Sequence, residues 1–317
     1  MRSECTLNAL ARDYFAAQRR KGVKTVEEWA SVWERCAAKE IGKLDPHALT
    51  VPKLARFLER KEQSKTPSIA LKLKKILSAA LRFARIHRED CADLATLPTT
   101  AIPLKAPKPR SVCLSPGQIA RFLQWAIRAA RSRELEPSEA VIVACLYGAA
   151  RISEIVNLRR DAITMDDRNL SLALHLDATK NGSPHTIFLF GFARDLVWSR
   201  WREAKGARSP IWPSPKNQGK PISRQLVFGR WKEIQKELGF KGFTLHDLRR
   251  SAATLLANDG ETLENVELLL NHSILTRVQA AYFHVHEQRL IPIFARLADL
   301  LARLAQTPIP AMEAQYD

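Results

Sequence analysis

A proline-rich, basic stretch in the first third of the chain limits the possible folds more than any other feature. Proline fixes φ and has no backbone N–H, so neither a helix nor a central strand can continue through such a stretch. A chain of 317 residues has room for a separately packed domain on each side. We therefore predict a helical domain at 1–97, a semi-rigid linker at 98–114, a second domain at 115–290, and a C-terminal helix and tail at 291–317. The prolines and basic residues of this stretch are Pro98, Pro103, Lys105, Pro107, Lys108, Pro109, Arg110 and Pro116.

The charge balance indicates a polyanionic partner. The chain has 50 Lys and Arg against 33 Asp and Glu, a formal net charge of +17, and a sequence pI near 10.0. Such an excess favours association with a polyanion and does not specify a fold. DNA, RNA, an anionic membrane and a ribosomal surface all remain open at this point.

Cysteine usage and hydropathy exclude several classes of protein. The five cysteines are scattered without a CxxC pair, so neither a zinc cluster nor a disulfide framework is indicated. The longest apolar run, Ala140–Ala150, is too short to cross a bilayer, and the first residues lack a secretory apolar region. We expect a soluble, cytoplasmic (nucleoid-associated) protein without a metal or other cofactor and without membrane contact.

The first domain has a helical pattern throughout. We predict helices at 25–42, with Thr25 as cap and Gly42 as stop, at 50–63, and at 66–89. Between Pro52 and Arg88 there are 11 Lys or Arg against two Glu. In the longest helix, Lys72, Lys75 and Arg82 recur at helical spacing opposite an apolar arc. This basic face is either a solvated surface or a DNA contact.

The sequence pattern of the second domain predicts mainly helices with one β-hairpin. Ser115 followed by Pro116 predicts a capped helix start. An apolar helix, a Gly/Ala turn and a short helix follow, and Asn-Gly within 170–190 predicts two antiparallel strands. Further helical segments extend to Leu304. The predicted fold class is mainly α with a small antiparallel β-sheet.

The stretch "TLHDLRRSAATLLA" (residues 244–257) places a histidine and an arginine three residues apart. On a helix this spacing puts His246 and Arg249 on one face, with leucines on the other. Alone, the pair is either a solvated helix edge or half of a site for an anion.

A set of residues in a fixed order extends this pair: Arg151 after a small-residue turn, Lys180 in the hairpin turn, His246 and Arg249, His272, and Tyr282. The order, together with the segments "ARISEIVNLRRDAI", "HDLRRSAATLLA" and "NHSILTRVQAAYFHV", resembles the tyrosine recombinase (phage integrase) family. The resemblance implies a SAM-like helical core-binding domain followed by a tyrosine recombinase catalytic domain. Where the family usually has glycine, this chain has Ala149 and Asn271. A small residue still permits close backbone approach, and Asn can adopt a left-handed conformation.

The resemblance implies site-specific DNA recombination through a 3′-phosphotyrosine on Tyr282, without metal or ATP. Arg151 and Arg249 would neutralise the phosphate, because guanidiniums stay charged and present paired donors. Lys180 would protonate the leaving 5′-oxygen. His246 and His272 would hydrogen-bond the phosphate, with His246 accepting the tyrosine proton. Glu154 would support these groups without reacting.

Partners and alternatives follow from the same resemblance. The expected partner is a double-stranded core recombination site, clamped by the helical bundle, the linker and the catalytic domain. The expected DNA-binding residues are Lys72, Lys75, Arg82, Lys105, Lys108 and Arg110. We also expect a homo-oligomer, a tetramer on two sites, with a possible accessory directionality factor. The apolar stripe of the last helix packs either on its own domain or on a neighbouring protomer. The competing functions are a non-catalytic DNA-binding protein on the same fold and a type IB topoisomerase-like relaxase.

Overall fold

The computed structural model describes residues 5–64, 67–94, 102–106, 110–176, 184–272 and 287–307. The chain divides into two compact units, Met1–Arg110 and Ser111–Asp317. Within the described ranges no helix combines the length and apolar character needed to cross a membrane. Three of the candidate site residues, Lys108, Lys180 and Tyr282, lie outside the described residues.

The N-terminal unit is helical, as the sequence pattern predicts. Its helices are α1 (Leu7–Arg20), α2 (Val26–Cys36), α3 (Val51–Gln63) and α4 (Pro67–His87), with 3-10 turns at Pro46–Ala48 and Glu89–Cys91. The apolar faces of these helices form one core that includes Leu10, Trp33, Phe57, Leu73 and Leu77.

The second helix ends earlier than expected. It stops at Cys36 instead of Gly42, and the Thr25 side chain makes no capping hydrogen bond. The reason is a long-range contact, because the Asn8 amide at the start of α1 donates to the Gly42 carbonyl at 2.8 Å. Trp33 Nε1 also donates to Asn8 Oδ1 at 2.9 Å. The segment after Cys36 thus supplies acceptors for the otherwise unpaired first amides of α1.

The basic face of α4 is present and partly neutralised. Lys72, Lys75 and Arg82 are exposed, whereas Leu73, Ile76 and Leu77 on the opposite arc are buried. Lys72 forms an ion pair with Glu28 of α2. Outside the helices of this unit, Lys105 and Arg110 are exposed. All five remain candidate DNA contacts.

The C-terminal unit combines helices with two small antiparallel sheets, confirming the predicted fold class. Its helices are α5 (Pro116–Ser132), α6 (Pro137–Tyr147), α7 (Ile152–Val156), α8 (Gly191–Glu203), α9 (Arg224–Glu237), α10 (Leu245–Asn258), α11 (Leu263–Leu269) and α12 (Leu290–Gln306). The strands are β1 (Ile163–Asp166), β2 (Ser171–Leu176), β3 (His185–Leu189), β4 (Pro213–Ser214) and β5 (Asn217–Pro221).

Helix α6 lies at the centre of this unit. Ten of its residues, Ser138–Tyr147, are buried, and α6 contacts α7, α8, α9, α10 and α12. A helix that is apolar all round must be surrounded by other elements. The buried stripe of α12, from Leu290 to Leu301, packs on α5, β3 and α11 of the same unit. The apolar stripe of α12 is thus covered by elements of its own unit.

The predicted strand pair is confirmed as β2 and β3, with Leu174 opposite Ile187. The connection between them, 177–183, lies outside the described residues. Strand β1, which the sequence pattern does not reveal, pairs antiparallel with β2, with Ile163 opposite Leu174. Its turn lacks glycine. Instead, Asp166 Oδ1 accepts the amides of Arg168 and Asn169, and Leu170 adopts φ 50°.

Candidate active site

Arg151 lies at a tight turn that ends α6. The amide of Ala150 donates to the Cys145 carbonyl at 3.0 Å, and that of Ala149 donates to Leu146 at 3.2 Å, the pair of bonds that defines a Schellman motif. Ala149 takes the left-handed position with φ 41°, a conformation that costs a non-glycine residue roughly 1 kcal/mol. A Cβ on Gly148 would lie 2.9 Å from Ile187 Cγ2. Close packing against β3 therefore requires glycine at 148, while the alanine beside it carries the strain.

Arg151 itself is the N-cap residue of α7 and is held by Glu154. Its backbone amide donates to Glu154 Oε2 and its Nη1 donates to Glu154 Oε1, both at 2.8 Å. The side chains are 16% and 7% exposed, respectively. One carboxylate thus fixes both the turn and the direction of the guanidinium.

Arg249 is buried where two helices end. Arg249 is 3% exposed. Its Nη1 donates to the Ala149 carbonyl at 2.7 Å, and its Nη2 donates to the Leu270 carbonyl. Those carbonyls lie at the C-termini of α6 and α11, where the helix dipole favours a cation. Arg249 therefore connects the turn before Arg151 to the turn before His272.

The second turn repeats the geometry of the first. Asn271 is left-handed with φ 45°, the amide of His272 donates to the Glu267 carbonyl at 3.0 Å, and that of Asn271 donates to Leu268 at 2.9 Å. His272 Nδ1 lies 2.6 Å from Glu267 Oε2, and both side chains are about half exposed. Glu267, which the sequence pattern did not single out, orients the imidazole.

The two arginines share an electrostatic environment. Arg249 Nη1 is 3.9 Å from Glu154 Oε2, so the carboxylate that binds Arg151 also lies beside Arg249. Burial, followed by the Arg151 charge, lowers the pKa of Arg249 to about 10, opposed by Glu154. Arg249 therefore stays cationic at neutral pH. The structure brings together Arg151, Glu154 and Arg249.

His246 begins the same helix as Arg249. It is exposed at the first turn of α10, which Thr244 and Asp247 cap: the Thr244 amide donates to Asp247 Oδ2 at 2.7 Å. Partial desolvation of the imidazole, followed by the charges of Arg249 and Arg250, lowers the pKa of His246 below its ordinary value. A neutral imidazole at pH 7 can accept a proton.

His185, at the start of β3, is a site residue that the sequence pattern missed. Its residue is 8% exposed, and Nε2 has no hydrogen-bond partner among the described residues. Burial lowers the pKa of His185 to about 4, and the charges of Arg249 and Arg151 act in the same direction, whereas Glu154 and a hydrogen bond with the Leu269 backbone oppose the shift. The ring thus interacts electrostatically with both arginines and is hydrogen-bonded to the end of α11. Only burial distinguishes it from a surface histidine, and the hairpin pattern did not reveal that burial.

The burial of His185 predicts a pH effect on stability. The folded pKa, about 4, is below the unfolded value of about 6.5, so the unfolded chain takes up the proton first as pH falls. Stability is therefore lost between pH 6.5 and 4, by about 2 kcal/mol at pH 5. We expect urea denaturation to show that, between pH 7 and pH 5, His185→Gln loses less free energy of unfolding than the wild type, by about that amount. His246 titrates in both proteins, so its contribution cancels from the difference between them. An equal pH dependence of stability in the two proteins would contradict the burial of His185.

The described tyrosines do not suit nucleophilic attack. Tyr147 is 4% exposed within α6, and burial raises its pKa to about 12. Tyr14 belongs to the N-terminal unit, where its ring stacks on Trp29 at 6.3 Å between centroids. The two other tyrosines, Tyr282 and Tyr316, lie outside the described residues.

The chain is similar to proteins of a known family. Residues 113–289 match the Phage integrase family. Among curated relatives, tyrosine recombinase XerC of Roseiflexus sp. (strain RS-1) is 28% identical over 180 residues, 55% of each chain. Tyrosine recombinase XerD of Pseudomonas putida (strain KT2440) is 31% identical over 164 residues, 49% of this chain and 51% of the relative. The aligned region thus spans about half the length of these relatives.

Solved structures share the fold at low sequence identity. A lambda integrase tetramer bound to a Holliday junction matches with a TM-score of 0.66 at 17% identity, over 88% of this chain and 77% of that one. The Tn1549 transposon integrase in complex with circular intermediate DNA matches with a TM-score of 0.58 at 19% identity, over 93% and 99%. Residues 113–289, which match the family, include both helix-end turns, Arg151, Arg249 and His272. This chain belongs to the phage integrase family.

Proposed function

We propose that this protein is a site-specific DNA recombinase that breaks and rejoins DNA strands through a 3′-phosphotyrosine on Tyr282. The observation that carries the proposal is the pair of guanidiniums, Arg151 and Arg249, held beside the same carboxylate at the ends of two helices. Membership of the phage integrase family supports it.

The arginines would stabilise the phosphate as negative charge builds up on it. Arginine has five N–H donors, and Arg249 uses two nitrogens on backbone carbonyls, which leaves further donors for a non-bridging oxygen. Arg151 is only 16% exposed and already oriented by Glu154. Donors fixed in advance cost no reorganisation during the reaction, which makes this the largest expected contribution to catalysis.

The proton transfers would use the neighbouring groups. Tyr282 would attack phosphorus and give its proton to His246, whose lowered pKa leaves it neutral at pH 7. Lys180 would protonate the departing 5′-oxygen. His272, oriented by Glu267, would donate to the phosphate. The phosphotyrosine ester replaces the DNA ester, so a second 5′-hydroxyl can reverse the step without ATP.

The partner we propose is double-stranded DNA, bound by a homo-oligomer. The net charge of +17 and the exposed Lys75, Arg82, Lys105 and Arg110 support phosphate contacts, so binding should weaken steeply with salt. A fold neighbour, lambda integrase, is a tetramer on a Holliday junction, which supports the expected tetramer on two sites. An accessory directionality factor would be a further partner.

The test is covalent capture on nicked duplexes that tile the DNA flanking the gene. The nick lets the short 5′-hydroxyl strand diffuse away, so the cleaved intermediate accumulates. We expect a protein–DNA band on a denaturing gel, and tandem mass spectrometry should place the nucleotide on Tyr282. DNA binding without any covalent band would favour the non-catalytic alternative.

Supercoiled plasmids with and without the captured sequence distinguish a site-specific recombinase from the relaxase alternative. A site-specific recombinase should leave a plasmid without the captured sequence supercoiled, and should act on one that carries it. Equal relaxation of both plasmids would instead indicate a type IB topoisomerase-like activity.

A further inference from the structure

Two thiols meet at the edge of the N-terminal core, far from the candidate active site in sequence. Cys5, two residues before α1, and Cys91, at the end of the 3-10 turn after α4, have their sulfurs 3.0 Å apart. Cys91 is fully buried, whereas Cys5 is half-buried. A disulfide bond is about 2.05 Å long, so a shift of roughly 1 Å would join them.

The surroundings distinguish the two thiols. Arg88, which is held by Asp13 at 2.8 Å, interacts electrostatically with both thiols. A fixed cation therefore lies beside the pair, and exposure distinguishes the half-buried Cys5 from the buried Cys91. Burial, followed by the contact with Cys5, raises the pKa of the Cys91 thiol to about 12. Cys5 is thus the thiol that an oxidant can reach first, and Cys91 is its only cysteine neighbour among the described contacts.

A metal ion is the competing occupant of this cluster. Asp90 lies with the two thiols in a group that could supply three ligands. Both of its carboxylate oxygens already accept from Arg88, at 2.9 and 2.7 Å. A cation would have to displace that guanidinium, and structural zinc needs a fourth ligand. The cluster therefore favours bond formation between the sulfurs over metal binding.

We propose that Cys5 and Cys91 are an oxidative modification site that forms a reversible disulfide with a peroxide. The Cys5 sulfur attacks the peroxide, giving a sulfenic acid and one water. The Cys91 sulfur then attacks that sulfenic sulfur, forms the S–S bond and releases the second water. Two thiols lose two electrons and two protons, and hydrogen peroxide is reduced to two waters. A thiol reductant restores both cysteines.

The bond would tie the start of α1 to the end of α4. These helices pack on one another in the reduced unit, so the cross-link matches the native arrangement. Its main effect falls on the unfolded chain, because it closes a loop between residues 86 positions apart. We therefore expect oxidation to raise the unfolding temperature of the N-terminal unit by about 5–15 °C.

The experiment uses the full-length reduced chain and hydrogen peroxide. After a short exposure, free thiols are alkylated and the protein is digested with trypsin. The expected product joins peptide 3–12 (SECTLNALAR) to peptide 89–105 (EDCADLATLPTTAIPLK), and dithiothreitol should release both. The unfolding temperature is measured on the same samples.

Matched variants make the result decisive. Cys36→Ser removes another half-buried thiol of the same unit and should leave both the cross-link and the temperature shift intact. Cys5→Ser should lose both, and its accessible position makes it the safer variant if Cys91→Ser folds poorly. Alkylation of both Cys5 and Cys91 after peroxide, or a cross-link to Cys36 instead, would overturn the proposal.

Discussion

Replacing Tyr282 by phenylalanine is expected to abolish covalent capture of nicked DNA, with single-turnover cleavage lower by about ten-thousandfold or more. The change removes only the hydroxyl that would attack phosphorus. The two tyrosines among the described residues offer no substitute, since Tyr147 is buried with its pKa raised to about 12 and Tyr14 is stacked in the N-terminal unit. Single-turnover cleavage assays on the captured sequence measure the effect.

DNA binding provides the control for this variant. Because phenylalanine keeps the ring, gel-shift affinity for the same duplex should stay within about threefold of the wild-type value. Undiminished covalent linkage in Tyr282→Phe would show that another side chain is the nucleophile.

Replacing Arg249 by alanine is expected to reduce both catalysis and stability. Cleavage should fall by at least about a thousandfold, because one of the two cations on the phosphate is lost. The free energy of unfolding should fall by about 3 kcal/mol, because the carbonyls of Ala149 and Leu270 lose their buried donor. Single-turnover cleavage and urea denaturation measure the two effects separately.

Two further variants separate the roles of Arg249. Arg249→Lys keeps the charge but lacks the planar fork that reaches both carbonyls, so it should remain defective in cleavage while losing less stability. Arg250→Ala removes the neighbouring half-buried arginine, which bonds Asp247 at 2.6 Å, and should keep cleavage within about tenfold. Near-normal cleavage by a folded Arg249→Ala would contradict the assigned role.

Local sequence signals predicted much of the fold. The predicted helix at 50–63 and the helix start at Ser115 and Pro116 are confirmed by the structure, because caps and first-turn prolines act within one turn. The Asn-Gly turn likewise predicted the pairing of β2 with β3. The early end of α2 was not predictable, since it depends on a hydrogen bond from Asn8 to Gly42.

The candidate site likewise has features that the sequence predicts and features that it does not. The types and order of Arg151, His246, Arg249 and His272 are readable from the sequence. The contacts that hold them are not, because Arg249 bonds the ends of two helices that are distant in sequence. His185 and Glu267 were missed for the same reason: their roles depend on burial and on a neighbour in space.

The action of the arginines on the charge of one scissile phosphate is tested most directly with an uncharged linkage at the cleavage site. Cleavage of a duplex carrying a single methylphosphonate at the cleavage site is compared with cleavage of the normal duplex, for the wild type and for Arg151→Ala. A neutral linkage needs less cationic stabilisation, so the ratio of methylphosphonate to phosphate cleavage should rise at least about tenfold in Arg151→Ala. An unchanged ratio would show that Arg151 does not act on the phosphate charge.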